Sequence, residues 1–420
     1  MLSIFELTSL LLALCALFGF VNRAFLHLPN SVGLLLLGLI ASIVLVSTEL
    51  LFPDIQLYAD IETALRQIDF GKVVFDGVLA FLLFAGALHV NFEALRKRVI
   101  AVSYLAVVAT IISTAVTGSL FYLVCQALGV AVPLPWALVF GALISPTDPV
   151  GVLTLLKGVD LPPALKAEIE GEALLNDGVG VVIFTLLLAY AVGGAGEVTA
   201  IGLIWDFARE GIGGAVLGLA TGYLAYRAMR EIDDFPIEVL ITLALVMGTY
   251  ALAGRLGMSG PIATVAAGLL VGYRAPRDAM SERTETYVSA LWTLIDEVLN
   301  AILFLLIGLE VLVIEHPQSY ALVAVLAIPI VLVSRFIAVA LPILLPINRG
   351  VSVKNVPFLT WAAIRGGISI ALALSLPDVG AKSAIVAATY AVVIFSILAQ
   401  GLTLSSVARR LKLDTPFDRT

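Results

Sequence analysis

The sequence predicts an all-α polytopic membrane protein of about thirteen transmembrane helices, arranged as two inverted repeats of about six helices each, with discontinuous helices at spans 5 and 12 that cross. Three observations lead there. Hydrophobic residues make up 60% of the chain and charged residues 13%, where soluble domains average about 45–50% and 25%. Apolar segments of membrane-crossing length recur from end to end. Two of those segments, seven apart in order, are interrupted near mid-depth. An odd offset runs the interrupted pair antiparallel, and interrupted helices in corresponding halves are the best sequence pointer to a midplane transport site.

A bilayer core takes about 20 apolar residues per helix. On that measure the spans run over 2–21, 32–52, 73–90, 99–128, 135–157, 168–192, 211–230, 236–254, 260–273, 287–314, 319–345, 356–377 and 380–406. The first opens as Met1-Leu-Ser-Ile-Phe-Glu-Leu, with no basic n-region and no small-residue cleavage site. It therefore reads as a transmembrane helix rather than a removed signal peptide. The Gly-rich run from Gly211 to Gly222 in the seventh span reads as close helix packing without chemistry. A tail of about nine residues follows Leu411, so 1–420 reads as a single membrane transporter domain with no soluble regulatory domain.

Orientation follows from Lys and Arg, which favour cytoplasmic loops. With the N-terminus outside, inside loops hold 17 of the 24 basic residues and outside segments five; Arg335 and Arg365 stay within spans. That balance predicts a multi-pass protein of the plasma membrane with a cytoplasmic C-terminus. Cys15 and Cys125 lie in apolar runs without metal or redox spacing, and His27, His89 and His316 are scattered. The reading calls for no cofactor and no nucleic acid.

Span five contains Gly141-Ala-Leu-Ile-Ser-Pro-Thr-Asp-Pro-Val150. Pro146 and Pro149 each remove a backbone donor, so the helix cannot run unbroken between them. An irregular stretch at membrane depth must be buried in protein or line a wet cavity. This one carries Thr147 and Asp148. Span six contains Gly171-Glu-Ala-Leu-Leu-Asn-Asp-Gly-Val-Gly180. Glu172 and Asn176, at i and i+4, share a helix face, and Asp177 is turned by about 100°. Span twelve contains Arg365-Gly-Gly367, where paired glycines weaken the helix beside a cation.

Ionisable residues within a span are functional candidates by default. Asp177 is the candidate proton and cation site, with Asn176, Asp148 and Thr147 beside it; the competing reading of Asp177 is a structural carboxylate tied to an arginine. Asn176 cannot titrate, so the Asn-Asp pair offers one exchangeable proton. Arg335 and Arg365 stay charged and need acids. Glu172 is expected to pair with Arg335, and Arg365 to sit near the crossing of the broken helices, with the reverse assignment left open. At that crossing Asp148 would offset a positive helix N-terminus and Arg365 a negative C-terminus. Whether Asp148 and Thr147 also bind cation directly stays open. Asp76, His89, Glu297, Asn300 and Glu310 read as helix-end, cavity-rim or packing residues.

Ser145-Pro-Thr-Asp-Pro149, Glu172 with Asn176-Asp177, Gly257-Met-Ser-Gly-Pro-Ile-Ala263, Asn300 through Glu310, Arg335 and Arg365-Gly-Gly-Ile-Ser369 occur in an order that resembles the NhaP/NHE branch of monovalent cation:proton antiporters. The resemblance covers most of the chain. It implies exchange of Na+, or Li+ or K+, for H+, with Asp177 binding the transported Na+ or a proton. It also implies a core domain holding the broken helices, a separate domain forming a homodimer, and an elevator-like movement. Ala85 stands where relatives often carry an acid, and Ala173 where many carry Ser, so cation selectivity does not transfer with the resemblance. Two other classes compete: an intramembrane aspartyl protease using Asp148 and Asp177, which would need two carboxylates sharing a proton, and an ion channel.

Overall fold

A computed structural model describes residues 4–51, 77–148, 152, 161–193, 200–310, 317–344, 353–411 and 413. Asp76 lies outside them, as does most of the second half of predicted span five; Glu310 is described in its backbone only.

Among the described residues the regular structure is helical throughout. In chain order the principal helices are α1 (Ile4–Val21), α2 (Asn30–Leu51), α3 (Leu79–His89), α4 (Val99–Ala127), α5 (Leu134–Ile144), α6 (Pro163–Gly193), α7 (Ala200–Arg230), α8 (Phe235–Arg255), α9 (Gly260–Asp278), α10 (Glu282–Glu310), α11 (Pro317–Leu344), α12 (Val356–Trp361), α13 (Gly367–Leu374) and α14 (Lys382–Arg410), with a short helix, Phe92–Lys97, between α3 and α4. Each of the thirteen predicted segments overlaps one of these helices or, in the twelfth, the pair α12 and α13, which does not by itself fix the number that cross the membrane. Eight described helices are long and apolar enough to cross a membrane, and α3 and α5 are shorter apolar helices. Starts follow local capping chemistry. Asp234 accepts from Ile237 N at the head of α8, and Ser259 from Ile262 N at the head of α9, each satisfying one of the free donors of a first turn. Pro236 and Pro261 follow inside those first turns, where a missing N–H costs nothing.

The helices pack in two sets. In one, α7 runs along α9, α9 along α3 and α8, and α10 along α2 and α3. In the other, α4 packs on α5 and α11, α5 on α6, and α11 and α13 on α14. Helix α6 touches both sets, through α5 and through α9. Small residues set the close approaches. A Cβ at Gly141 of α5 would overlap the Thr114 carbonyl of α4, and one at Gly218 of α7 would overlap the Ala263 carbonyl of α9. The run from Gly211 thus does what its composition predicts: it brings two backbones together. Two long helices carry π-helical turns, at Tyr104–Ala109 in α4 and Ser396–Gln400 in α14. Large apolar side chains, among them Phe20, Phe25, Trp205 and Leu224, point outward, as a lipid-facing surface requires.

The predicted interruptions are where the prolines and glycines put them. Helix α5 stops at Ile144 and residues 145–148 are irregular; α12 stops at Trp361 and α13 begins at Gly367. The two breaks touch: Asp148 N donates to Ile364 O at 2.8 Å.

Candidate functional site

Breaking a helix inside a protein leaves carbonyls at one end and N–H groups at the other without partners. Here side chains from other helices answer them. Arg365 is 1% exposed, and its Nη1 donates to Ser145 O at 2.5 Å and Pro146 O at 2.7 Å. It thereby covers the carbonyl end of α5 with a positive charge, the arrangement the helix dipole favours. The carbonyl end of α12 is met twice: Arg335 Nη2 donates to Leu359 O at 3.4 Å, and Gln400 Nε2 to Trp361 O at 3.0 Å. At the opposite polarity, the Asp148 carboxylate lies against Gly366, which precedes the first turn of α13. A Cβ at Gly366 would fall on that carboxylate, so glycine there makes room for charge.

Helix α6 supplies the next layer. Glu172 is 2% exposed and forms a two-pronged pair with Arg335, Nη1 to Oε1 at 2.5 Å and Nη2 to Oε2 at 2.8 Å. Asn176, one turn on, accepts from Thr147 N at 3.3 Å through Oδ1 and donates to Thr147 Oγ1 at 2.9 Å through Nδ2. Both ends of its amide therefore hold the broken segment of α5. Asp177, 3% exposed, borders a small cavity also lined by Thr147, Asp148, Asn300, Gly366 and Ser369. Its charged neighbours are Asp148 and Arg365. Gly178 and Gly180 let α6 pass close to Ile262 and Pro146, which brings Asp177 up to the break.

The structure thus brings Asp148, Thr147, Asn176, Asp177 and Arg365 together, with Glu172 and Arg335 paired one turn away along α6. The residues at the two resemblance-based departures, Ala85 and Ala173, are buried and are not among those lining the cavity. Three further features carry weak sequence signals. Glu168 is fully buried and ion-pairs with Arg98; an acid at a predicted span edge gave no hint of it. Gln400 emerges from a featureless apolar segment. Asn300, read from sequence as a helix-end, cavity-rim or packing residue, is 8% exposed and forms part of the cavity wall. His89 sits away from that cavity, with Nδ1 at 2.7 Å from Ala85 O and Nε2 at 3.3 Å from Ser289 Oγ, and Glu297 is exposed.

Two interrupted helices that meet beside buried carboxylates, inside a helical membrane protein, define a secondary transporter. The family described as "Sodium/hydrogen exchanger, transmembrane" matches residues 9–410, and the chain belongs to that family. It is 40% identical to the Na(+)/H(+) antiporter NhaP of Pseudomonas aeruginosa, over 99% of each chain. It is 35% identical to the Na(+)/H(+) antiporter NhaH of Halobacillus dabanensis, over 91% of this chain and 92% of that one. Its fold is similar to that of the sodium proton antiporter MjNhaP1 from Methanocaldococcus jannaschii, with a TM-score of 0.78 at 19% identity over 97% of this chain and 98% of the other.

Proposed function

We propose that the protein is a secondary active antiporter that exchanges a monovalent cation for H+, with Na+ as the expected substrate and Li+ and K+ as alternatives. The relatives named above are Na(+)/H(+) antiporters. The observation that carries the mechanism is the charge inventory around the crossing. Lining the cavity or bonded across the crossing, Asp148, Glu172 and Asp177 stand against Arg335 and Arg365, while Asp296 lies outside the cavity lining, within electrostatic reach of Asp148 and His89. With all five ionised the set is one negative charge in excess. One proton or one monovalent cation at Asp177 makes it neutral, and burying an uncompensated charge is costly. A set neutral only when occupied needs no second gate to couple the two fluxes. It crosses the low-dielectric barrier loaded with either ion, and returns loaded with the other.

In this reading Asp177 alternates between proton and dehydrated cation. Thr147 and Asp148 stand on the cavity wall beside it, and Asn176 holds Thr147 in place. Glu172 is forked to Arg335, so it serves as a structural partner and not a proton carrier. One titrating carboxylate gives one-for-one, electroneutral exchange. The packing into two helix sets supports a core that moves and a second set that forms a homodimer. The distribution of basic residues supports a plasma-membrane protein with its N-terminus outside and its C-terminus in the cytoplasm. The protease and channel readings gain no support from any relative named above.

The test is proton flux in proteoliposomes on addition of Na+, Li+ or K+, for the wild type and Asp177→Asn. An amide can neither release a proton nor present a full negative charge, so the variant should exchange nothing measurable. Exchange retained at more than a small fraction of the wild-type rate would remove Asp177 from the transport site.

A further inference from the structure

Two buried asparagines stand near the crossing, and they are used differently. Asn176 has both ends committed to Thr147. Asn300, on α10, makes its hydrogen bonds among the described residues through its nitrogen. Its Nδ2 donates to the main-chain oxygen of Asp296 at 2.8 Å and to Asp296 Oδ1 at 3.1 Å. An amide NH2 carries two hydrogens, and both are engaged one turn back along the same helix. Turning the amide over would set its oxygen against two acceptor oxygens, so the hydrogen-bond pattern fixes which end is which. The oxygen is the end left for the cavity that Asn300 shares with Asp148, Asp177 and Ser369.

A small alkali cation that reaches a buried carboxylate must replace the water it sheds with oxygen dipoles, and a ring of carbonyl-type oxygens does this in selective pores. A proton has no such requirement. We propose that Asn300 Oδ1 is a ligand of the transported monovalent cation, and that Asp296 is the positioning residue that keeps it turned into the cavity. The proposal deepens the antiport reading and rests on it. Asn300 donates a neutral oxygen, so it adds a ligand without disturbing the charge balance that Asp177 completes. Asp296 is not among the residues that line the cavity, and its carboxylate also lies within electrostatic reach of Asp148.

The assay measures half-saturating concentrations of Li+, Na+ and K+ for proton flux in proteoliposomes, with the wild type, Asn300→Ala, Asn300→Ser and Asp296→Ala. Removing the oxygen with Asn300→Ala should raise the half-saturating Na+ concentration about tenfold, the equivalent of about 1.4 kcal/mol, and should change the ratios among the three cations. Asn300→Ser keeps a neutral oxygen and should recover part of the loss. Asp296→Ala removes the carboxylate acceptor but keeps the main-chain one, so the amide is held less firmly and the values should move the same way by a smaller factor. Half-saturation within twofold of the wild type for all three cations would overturn the proposal. So would an equal rise for all three together with a lowered melting temperature, because a packing role has no reason to distinguish ions by size. If Asn300→Ala does not reach the membrane, Asn300→Ser and Asp296→Ala decide in the same way: altered cation ratios support the ligand and unaltered ratios remove it. A wild type that exchanges no cation would overturn the antiport reading and the ligand with it. A wild type that exchanges beside variants with unaltered ratios overturns the ligand alone.

Discussion

Breaking the Glu172–Arg335 pair should damage the protein through folding rather than through transport chemistry. The side chains are 2% and 4% exposed and meet in two contacts, at 2.5 and 2.8 Å. Glu172→Ala leaves the Arg335 guanidinium with Leu359 O as its remaining hydrogen-bond acceptor among the described residues. Arg335→Ala leaves the Glu172 carboxylate buried, with a second acid, Glu168, close by, and also removes one partner from the carbonyl end of α12. Stranding one member of a buried pair costs about 3–5 kcal/mol, so either single variant should lower thermal stability sharply. The double variant strands no charge. It keeps only the cavity and the lost cap, so its cost should fall short of the sum of the singles by about 2 kcal/mol or more, within the range of contacting buried groups. The assay is the apparent melting temperature of the purified protein in detergent, measured for all four members of the cycle. A double variant whose loss equals the sum of the two single losses would refute the reasoning, because the two side chains would then contribute independently.

Two more outcomes follow from the same geometry. Because Asn176 does not titrate and Glu172 is held by Arg335, the steady-state cation gradient in proteoliposomes should stay fixed when a membrane potential is imposed at constant pH gradient. A gradient that follows the potential would mean more than one charge moves per cycle and would implicate Glu172 or Asp148 as a second carrier. Gly366→Ala places a Cβ on the Asp148 carboxylate, so it should cut exchange at least tenfold and lower stability by about 1–3 kcal/mol, the usual cost of overpacking; wild-type flux and melting temperature would show that the segment relaxes freely.

Much of this architecture is legible in the residues themselves. Hydropathy locates the helices because a membrane helix must be apolar along about 20 residues, a signal that needs no knowledge of packing. Pro146, Pro149 and Gly366-Gly367 mark the breaks because their effect is local to the backbone. That Glu172 meets a buried arginine follows from scarcity, since few acids lie at depth to meet two obligate cations; that the arginine is Arg335 and not Arg365 is set by the fold. What stays hidden is polar but uncharged. Gln400 reaches Trp361 O across 39 positions of sequence, and Asn300 differs from any rim amide only by which end its neighbours occupy. Amides carry no periodic pattern, and their roles are set by partners that only the fold brings near. Glu168 was missed for a related reason, since its partner Arg98 sits in a basic cluster that reads as a loop signal for topology.

The guanidinium of Arg365 has a mechanical corollary. It is rooted in one interruption and bonded to two carbonyls of the other, while Asp148 N returns a bond to Ile364 O. Prising the two segments apart would bare three carbonyls, an amide and a cation in a water-poor interior, each costing kilocalories when unmet. The place where the helices are weakest as helices is therefore a riveted joint, and it should travel as one piece. Whatever slides during a transport cycle must slide at the margins of that piece, along seams such as the one between α6 and α9, where the contacts are apolar side chains that can exchange neighbours at little cost.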